Sequence, residues 1–563
     1  MARLLEKNNI IKILKGLYGN RADWVYINIE KFVNEYKSKI SNEKESLSEK
    51  DIMLITYGDN VQKEGESHLK TLKEFVDTYC LPEINSTHIL PFYPYTSDDG
   101  FSITDYFAVD SNLGTWDDIS RLSKRSNLMF DAVVNHMSKS SQWFRSYLAE
   151  EGYRDFFIAV DPKTDLSKVI RPRALPLLSK YKDKNGKEKH IWTTFSEDQV
   201  DLNYASPEVF IAILEILLFY ISKGAKYIRL DAIAFLWKTI GTTCINLNET
   251  HDVIKLYRKI IESLTCNAVL ITETNVPHLE NISYFGNGYN EAHMVYNFTL
   301  SPLLVYSIMT ENIEVLTKWA QSLKLPSDKV CFFNFTASHD GIGVRPLQNI
   351  ISDSEIAKLA LRTEKHGGQV SYKNNEDGTQ SPYELNCNYM DLLSNKSDND
   401  EIRVNKMMLT QSVMLAMPGV PGIYFHSLIG SRNYFRGVED SGNKRRINRE
   451  KLKFENLTKE LAASGSLRNK IYTSYKQLLK IRIKEKAFNP FGNAKYFDVN
   501  NNKIFIIKRE YKKEIIFAIY NFSNNLEQIN ARAPKVFDLL NEKELVDTIW
   551  EIKPHSFCWL KVK

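Results

Sequence analysis

Residues 206–232 read SPEVFIAILEILLFYISKGAKYIRLDA. Ser206 before Pro207 is an N-cap and first-turn pair, Phe210–Ser222 is strongly apolar, and Gly224 is a helix stop. Ala225–Leu230 follows at once as a short apolar strand, so the stretch is one helix–strand unit whose strand ends on Asp231. Seven more segments read the same way: Ile52–Tyr57, His88–Phe92, Leu128–Val134, Ala268–Thr272, Met294–Asn297, Val330–Thr336 and Val420–Phe425. Strands interleaved with helices in this manner predict an α/β fold, a closed parallel TIM (β/α)8 barrel.

The rest of the chain is arranged around that rhythm. Residues 1–50 alternate apolar groups with Lys and Glu at helical spacing, which predicts a two-helix N-terminal extension. The barrel takes 51–490, interrupted by an inserted subdomain at 139–204 and a second insertion at 341–399. Residues 491–563 carry β-rich runs (Ile504–Lys508, Glu514–Asn521, Ser556–Val562) and no helical period, as an antiparallel β domain would.

Bulk properties exclude several classes. A net charge of +5 over 563 residues, with lysines dispersed, leaves no footprint for nucleic acid. No apolar run has bilayer-spanning length, and the N-terminus has no uninterrupted apolar core of a secretory signal. The six cysteines are scattered without a CxxC pair, against both a zinc site and a disulfide framework. These features predict a cytoplasmic protein without metal. Aromatic residues at 12% suit wide stacking surfaces, though a large core uses them too.

In a parallel barrel the chemistry sits where strands end. Here the strands end in FDAVVNH (Phe130–His136), YIRLD (Tyr227–Asp231), ITE (Ile271–Glu273) and TASHD (Thr336–Asp340). Alternation puts Arg229 and Asp231 on one face, about 7 Å apart along the strand, where the cation keeps the carboxylate ionised. Singly, each piece has a plain explanation: a structural ion pair for Arg229 and Asp231, packing for His136 or His339, loop tying for Asp131, a rim charge for Glu273. Four strand ends bringing these groups to one rim is another matter, since burying such charges without use costs several kcal/mol.

These motifs, in this order, resemble those of the α-amylase superfamily of retaining glycosidases and transglycosylases. QVDLN (Gln199–Asn203) and GVPGIYF (Gly419–Phe425) are similar to two further motifs of that family. The resemblance implies Asp231 as nucleophile, Glu273 as general acid/base and Asp340 as the carboxylate that grips sugar hydroxyls, with Arg229, His136 and His339 orienting nucleophile and sugar. Retention asks for such a pair of carboxyls about 5 Å apart.

The loops resemble the sucrose phosphorylase branch: DDGF (Asp98–Phe101), DAVVNHMS (Asp131–Ser138), RPRALPLL (Arg171–Leu178), PYELNCNYMDLL (Pro382–Leu393) and RRINRE (Arg445–Glu450). In that branch an Asp matching Asp98 and an Arg matching Arg449 clamp the far hydroxyl of the glucosyl unit, and Phe101 stands in the aromatic wall. Inorganic phosphate, as co-substrate, needs fixed guanidinium groups. Arg171 and Arg173 are the candidates, with Tyr383, Asn386 and Tyr389 as further phosphate or acceptor contacts, core packing being the other role for Tyr389. The extra N-terminal residues, RPRALPLL and GIYFHSLIGSRN (Gly422–Asn433) are most similar to the glucosylglycerate phosphorylases. That implies 2-O-α-D-glucosylglycerate as donor, no cofactor, and an acceptor carboxylate met by Arg432, Lys238 or Arg445. Sucrose or sucrose 6-phosphate phosphorolysis, a sucrose-type glucosidase or transglucosylase, and a non-catalytic binding protein are the alternatives. The protein is expected to act as a monomer or homodimer on small molecules.

Overall fold

The stretch 206–230 folds as one helix and one strand. Pro207–Ser222 is helical, Ser206 precedes it in extended backbone, and Gly224 turns the chain at φ 99°, where a side chain is strained. The Ser206 hydroxyl donates to Glu208 Oε2 at 2.9 Å instead of accepting from a backbone N–H, so the side-chain cap expected from the sequence is not made. The helix is apolar on nearly every side because it is covered on two sides: the barrel lies beneath it, and the N-terminal helices lie above. Phe210 stacks on Tyr257 at 5.2 Å and meets Tyr18 at 6.1 Å.

In the computed structural model, residues 7–41, 45–173, 175–375, 378–530, 535–545 and 549–563 are described. The first six residues of the N-terminal extension, residues 42–44 within it, and Ala174 of RPRALPLL lie outside them.

Among the described residues eight parallel strands close into a barrel: β1 (Met53–Thr56), β2 (Ser86–Ile89), β3 (Asn127–Ala132), β4 (Ala225–Leu230), β5 (Val269–Thr272), β6 (Met294–Tyr296), β7 (Cys331–Phe335) and β8 (Val420–Tyr424). Each pairs with its neighbours in chain order and β8 closes on β1. Their residues are almost all buried, as strands covered on both faces must be. Two of the registers set the polar strand ends side by side. Asp131 on β3 lies opposite Arg229 on β4, and Leu230 at the end of β4 lies opposite Thr272 at the end of β5.

Helices Lys7–Tyr18 and Ala22–Tyr36 precede the barrel and bury Ile10, Leu14, Val25 and Ile29 against it. Residues 139–204 hold the helix Gln142–Ala149, a hairpin of Leu178–Lys182 with Glu188–Trp192, and the short strand Gln199–Asp201. That last strand returns antiparallel to His136–Ser138, just beyond β3. Residues 341–399 hold the helix Asp353–Lys365 and a three-stranded sheet with Gln380–Asn386 at its centre. A six-stranded sheet spans Asn493–Phe497 to Phe557–Val562. No helix among the described residues is long and apolar enough to cross a membrane.

Candidate active site

The register between β4 and β5 decides the geometry. Leu230 and Thr272 are direct neighbours, so Asp231 and Glu273 leave adjacent strands at the same level. Adjacent strands run about 4.8 Å apart. Both side chains line one pocket at the C-terminal mouth of the barrel, with an empty volume of about 680 Å³ counting the space open to solvent.

A single guanidinium ties the pair. Arg229 Nη1 donates to Asp231 Oδ1 at 2.6 Å and also to Asp131, while its Nη2 lies 3.7 Å from Glu273 Oε2. Glu273 Oε2 accepts the Ala232 N–H at 3.1 Å. Behind them, His88 Nε2 and Asp131 Oδ2 lie 2.6 Å apart, both fully buried. Asp131 therefore holds Arg229 from below, which Asp231 alone would not do.

Burial pushes the carboxyls of both Asp231 and Glu273 up. Arg229 opposes the rise in each; Glu273 adds to it at Asp231, and Asp340 adds to it at Glu273. Such a pair titrates as a unit and keeps one proton near neutrality. Asp231 is in direct contact with the guanidinium and Glu273 stands further from it, so the geometry makes Asp231 the better place for the shared negative charge.

Asp340 has the opposite environment. Burial works against its charge, yet Arg445 Nη1 at 2.6 Å, with His339 and Arg449 nearby, holds its carboxyl well below the usual range. Asp98 is likewise held low against burial by Arg173, Arg445 and Arg449. Burial keeps the two pocket histidines neutral, His136 lowered to about 4 and His339 to about 3. Phe101 stacks flat on His339, centroids 4.7 Å apart at 3°, and forms an aromatic wall with Phe195, Phe235 and Phe298.

Of the residues singled out in the sequence, the structure brings Asp98, Phe101, His136, Arg173, Asp231, Glu273, His339, Asp340 and Tyr383 to this pocket. Arg229 and Arg449 stand behind it. Arg449 bonds the His339 carbonyl at 2.7 Å and Asp99 at 2.7 Å, and approaches Asp98 only to 3.8 Å. Arg173 reaches the pocket already bound to Asp98 at 3.2 Å. Arg171 does not line it; its Nη1 donates to the Leu175 carbonyl at 2.9 Å. Asn386 is buried behind the lining, bonded to Ser371 at 3.0 Å, and Tyr389 belongs to the core. Lys238 is turned away, its ammonium 2.7 Å from both Asn135 Oδ1 and Asp201 Oδ2, and Arg432 pairs with Asp391 outside the pocket. Among the described residues no three His, Cys, Asp or Glu side chains gather as a metal site would.

Glu384, Gln199 and Asn275 line the pocket without having been given a role, although QVDLN and PYELNCNYMDLL contain two of them; Arg445, a candidate for the acceptor carboxylate, lines it as well. Arg445 binds Asp340 and both oxygens of Glu384, at 2.8 and 3.1 Å. RRINRE puts Arg445 and Arg446 on a short helical segment with Arg449 just past its end; the sequence pointed to Arg445 as an acceptor contact but not to its ties with Asp340 and Glu384.

Comparison with known proteins agrees with this geometry. The profile of the α-amylase catalytic domain matches residues 81–340. The glucosylglycerate phosphorylase of Escherichia coli (strain K12) is 42% identical over 99% of this chain and 100% of its own. The sucrose phosphorylase of Streptococcus mutans is 28% identical over 82% of this chain and 92% of its own. The crystal structure of sucrose 6F-phosphate phosphorylase from Thermoanaerobacter thermosaccharolyticum superposes with a TM-score of 0.75, at 22% identity, over 90% of this chain and 99% of that one. The chain belongs to the α-amylase family, in its glucosyl phosphorylase branch, and stands nearer there to a glucosylglycerate phosphorylase than to a sucrose phosphorylase.

Proposed function

We propose that the protein is a retaining phosphorylase that transfers an α-glucosyl unit from 2-O-α-D-glucosylglycerate to inorganic phosphate, giving α-D-glucose 1-phosphate and glycerate. The observation that carries the mechanism is the Leu230–Thr272 register with Arg229 shared between Asp231 and Glu273. That arrangement fits the carboxyl spacing of about 5 Å used by retaining enzymes.

Asp231 attacks the anomeric carbon as the bond to the glycerate oxygen breaks, and Glu273 gives its proton to that oxygen. A glucosyl ester on Asp231 results, with inverted configuration. Phosphate then enters where glycerate left; its oxygen attacks the same carbon, the ester bond breaks, and Glu273 takes the phosphate proton. Two inversions restore the α configuration. Asp340, held ionised by Arg445, grips sugar hydroxyls and steadies the positive charge that develops on the ring. His136, His339 and Phe101 bound the glucosyl unit. Asp98 closes its far end, with Arg449 bracing the loop from behind. We assign the phosphate contacts to Arg173 and Tyr383, which reach the pocket, in preference to Arg171 and Asn386. No cofactor is asked for by these steps, and the dispersed unpaired cysteines suit a reducing cytoplasm.

Incubating the protein with 2-O-α-D-glucosylglycerate, with and without phosphate, tests the reading. Glucose 1-phosphate should form only with phosphate present. Release of free glucose at full rate without phosphate would mean a hydrolase, and turnover of sucrose in preference to the glycerate would move the donor assignment.

A further inference from the structure

The arginines in and just behind the pocket named so far are already engaged. Arg173 carries Asp98, Arg229 carries Asp131 and Asp231 from behind, and Arg445 carries Asp340 and Glu384. Arg345 is different. It is 7% exposed, and among the described residues its side chain forms no ion pair and no hydrogen bond; its Nε is wholly buried without a partner. A buried guanidinium left without a counter-charge is costly unless an anion visits it.

Its place in the fold suggests which anion. The strand Ile342–Gly343 follows the Asp340 loop and pairs with Glu384 and Leu385, and the Val344 N–H donates to the Tyr383 carbonyl at 3.1 Å. Arg345 is the next residue; it stands beside Tyr383, which lines the pocket, and is itself one layer behind the lining. The same wall includes Asn275, whose Oδ1 is buried and unpartnered. Its amide fills the space over Gly343, where a Cβ would come within 2.5 Å of that oxygen. Burial pushes the Tyr383 phenol up to about 12, and the positive charge of Arg345 pulls against it, so phenol and guanidinium are within electrostatic reach. Asn275 follows Glu273 by two residues and Tyr383 is one of the proposed phosphate contacts, so this wall borders the place assigned above to the departing group and then phosphate.

We propose that Arg345 is a specificity-determining residue that anchors the oxyanion occupying the acceptor position beside Tyr383: the carboxylate of the departing hydroxy acid, the incoming phosphate, or each in its turn. The inference rests on the phosphorylase reading above. Both ligands present paired oxygens that a guanidinium meets with two parallel hydrogen bonds, and they occupy the position alternately, so one cation serves both halves of the reaction.

The test uses the full chain as wild type, Arg345→Gln and Arg345→Lys. In the synthetic direction, with glucose 1-phosphate as donor, glycerate is compared with glycerol, which lacks the carboxylate. In the phosphorolytic direction the KM for phosphate is measured. Loss of a charge-assisted contact is worth about 10- to 100-fold. Arg345→Gln should therefore lower the ratio of kcat/KM for glycerate over glycerol by about that factor, raise the phosphate KM by a similar one, or do both, with Arg345→Lys recovering part of the loss. A falling ratio assigns the carboxylate and a rising phosphate KM assigns the phosphate. Melting curves separate binding from structure: glycerate or phosphate should raise the melting temperature of wild type more than that of Arg345→Gln. If ratio, phosphate KM and ligand-induced stabilisation all stay at wild-type values, or if Arg345→Gln melts well below wild type without ligand, the proposal is overturned. Should wild type refuse glycerate altogether, the donor assignment falls while the phosphate measurement still decides Arg345.

Discussion

Glu273 is placed where its proton is useful and its charge is expensive. It is largely buried, 3.7 Å from the nearest guanidinium nitrogen and coupled to Asp231, so its carboxyl titrates above the ordinary range. The folded protein thus binds this proton more tightly than the unfolded chain does. Stability from this site is greatest below the unfolded carboxyl pKa of about 4.3 and is lost as pH rises toward the folded value. Glu273→Gln keeps an oxygen for the Ala232 N–H and removes the penalty. Its melting temperature is expected to exceed wild type at pH 7–8, by about 2–4 °C for each kcal/mol or so relieved, and to converge with wild type near pH 4. Turnover of glucosylglycerate should fall about 10²- to 10⁴-fold, and the alkaline limb of the pH–rate profile should vanish. A variant with wild-type turnover, or one that melts lower across this range, would remove Glu273 from the role of acid. At this scale much was legible: Arg229, Asp231 and Glu273 announce themselves because each ends an apolar strand. Glu384 does not, because strand pairing with Gly343 and an ion pair with Arg445, 61 residues away, bring it to the pocket, and nothing local marks such contacts.

The elements that shape the pocket are held in costly conformations by the arginines around them. In the loop after β2, Asp98 and Asp99 take φ of 52° and 49°, and Gly100 takes 112°. Left-handed backbone at a non-glycine residue costs about 1–3 kcal/mol. Ion pairs offset that here: Asp98 meets Arg173 at 3.2 Å, and Asp99 meets Arg449 at 2.7 Å and Arg446 at 2.5 Å. Gly100 allows the close approach to β2, since a Cβ there would come within 2.7 Å of the Pro91 carbonyl. Gly100→Ala is expected to displace Asp98 and Phe101 together, raising the donor KM about tenfold or more and lowering the melting temperature, with less effect on the phosphate KM. Steady-state kinetics varying each substrate separately checks this; an equal rise in both constants would mean that the loop does not act on the sugar alone. Seven of the eight barrel strands were readable to within a residue or two, because short apolar runs bounded by polar ends form a pattern; the second, Ser86–Ile89, lies two to three residues before the expected His88–Phe92 because its residues are mostly polar. Gln199–Asp201 and Ile342–Gly343 are too short for any period, yet they bring Gln199 and Arg345 to their places. Those pairings are set by the barrel beneath, which local sequence does not encode.

Across the whole molecule, the C-terminal sheet is joined to the barrel by more than surface contact. Ile507, Ile516, Tyr520 and Trp559 belong to the same continuous apolar core as the barrel strands, while the other face of the sheet has a smaller core around Ile504, Val536 and Leu560. Fully buried Arg509 donates to the Ala416 carbonyl at 2.6 Å, at the end of the helix before β8, and to the Asn489 carbonyl at 2.7 Å. Tyr520 donates to the Ser412 carbonyl at 3.1 Å in that same helix. A chain ending at residue 490 would expose this apolar face and leave buried carbonyls near β8 without donors. Each such loss costs about 1–3 kcal/mol, against total stabilities of about 5–15 kcal/mol. The truncated chain is therefore expected to be insoluble, and the full chain to unfold in calorimetry as one transition that ligands shift as a unit. A soluble, active 1–490 fragment, or a separate transition for the sheet that phosphate and glycerate leave unmoved, would mean that the barrel holds its eighth strand unaided.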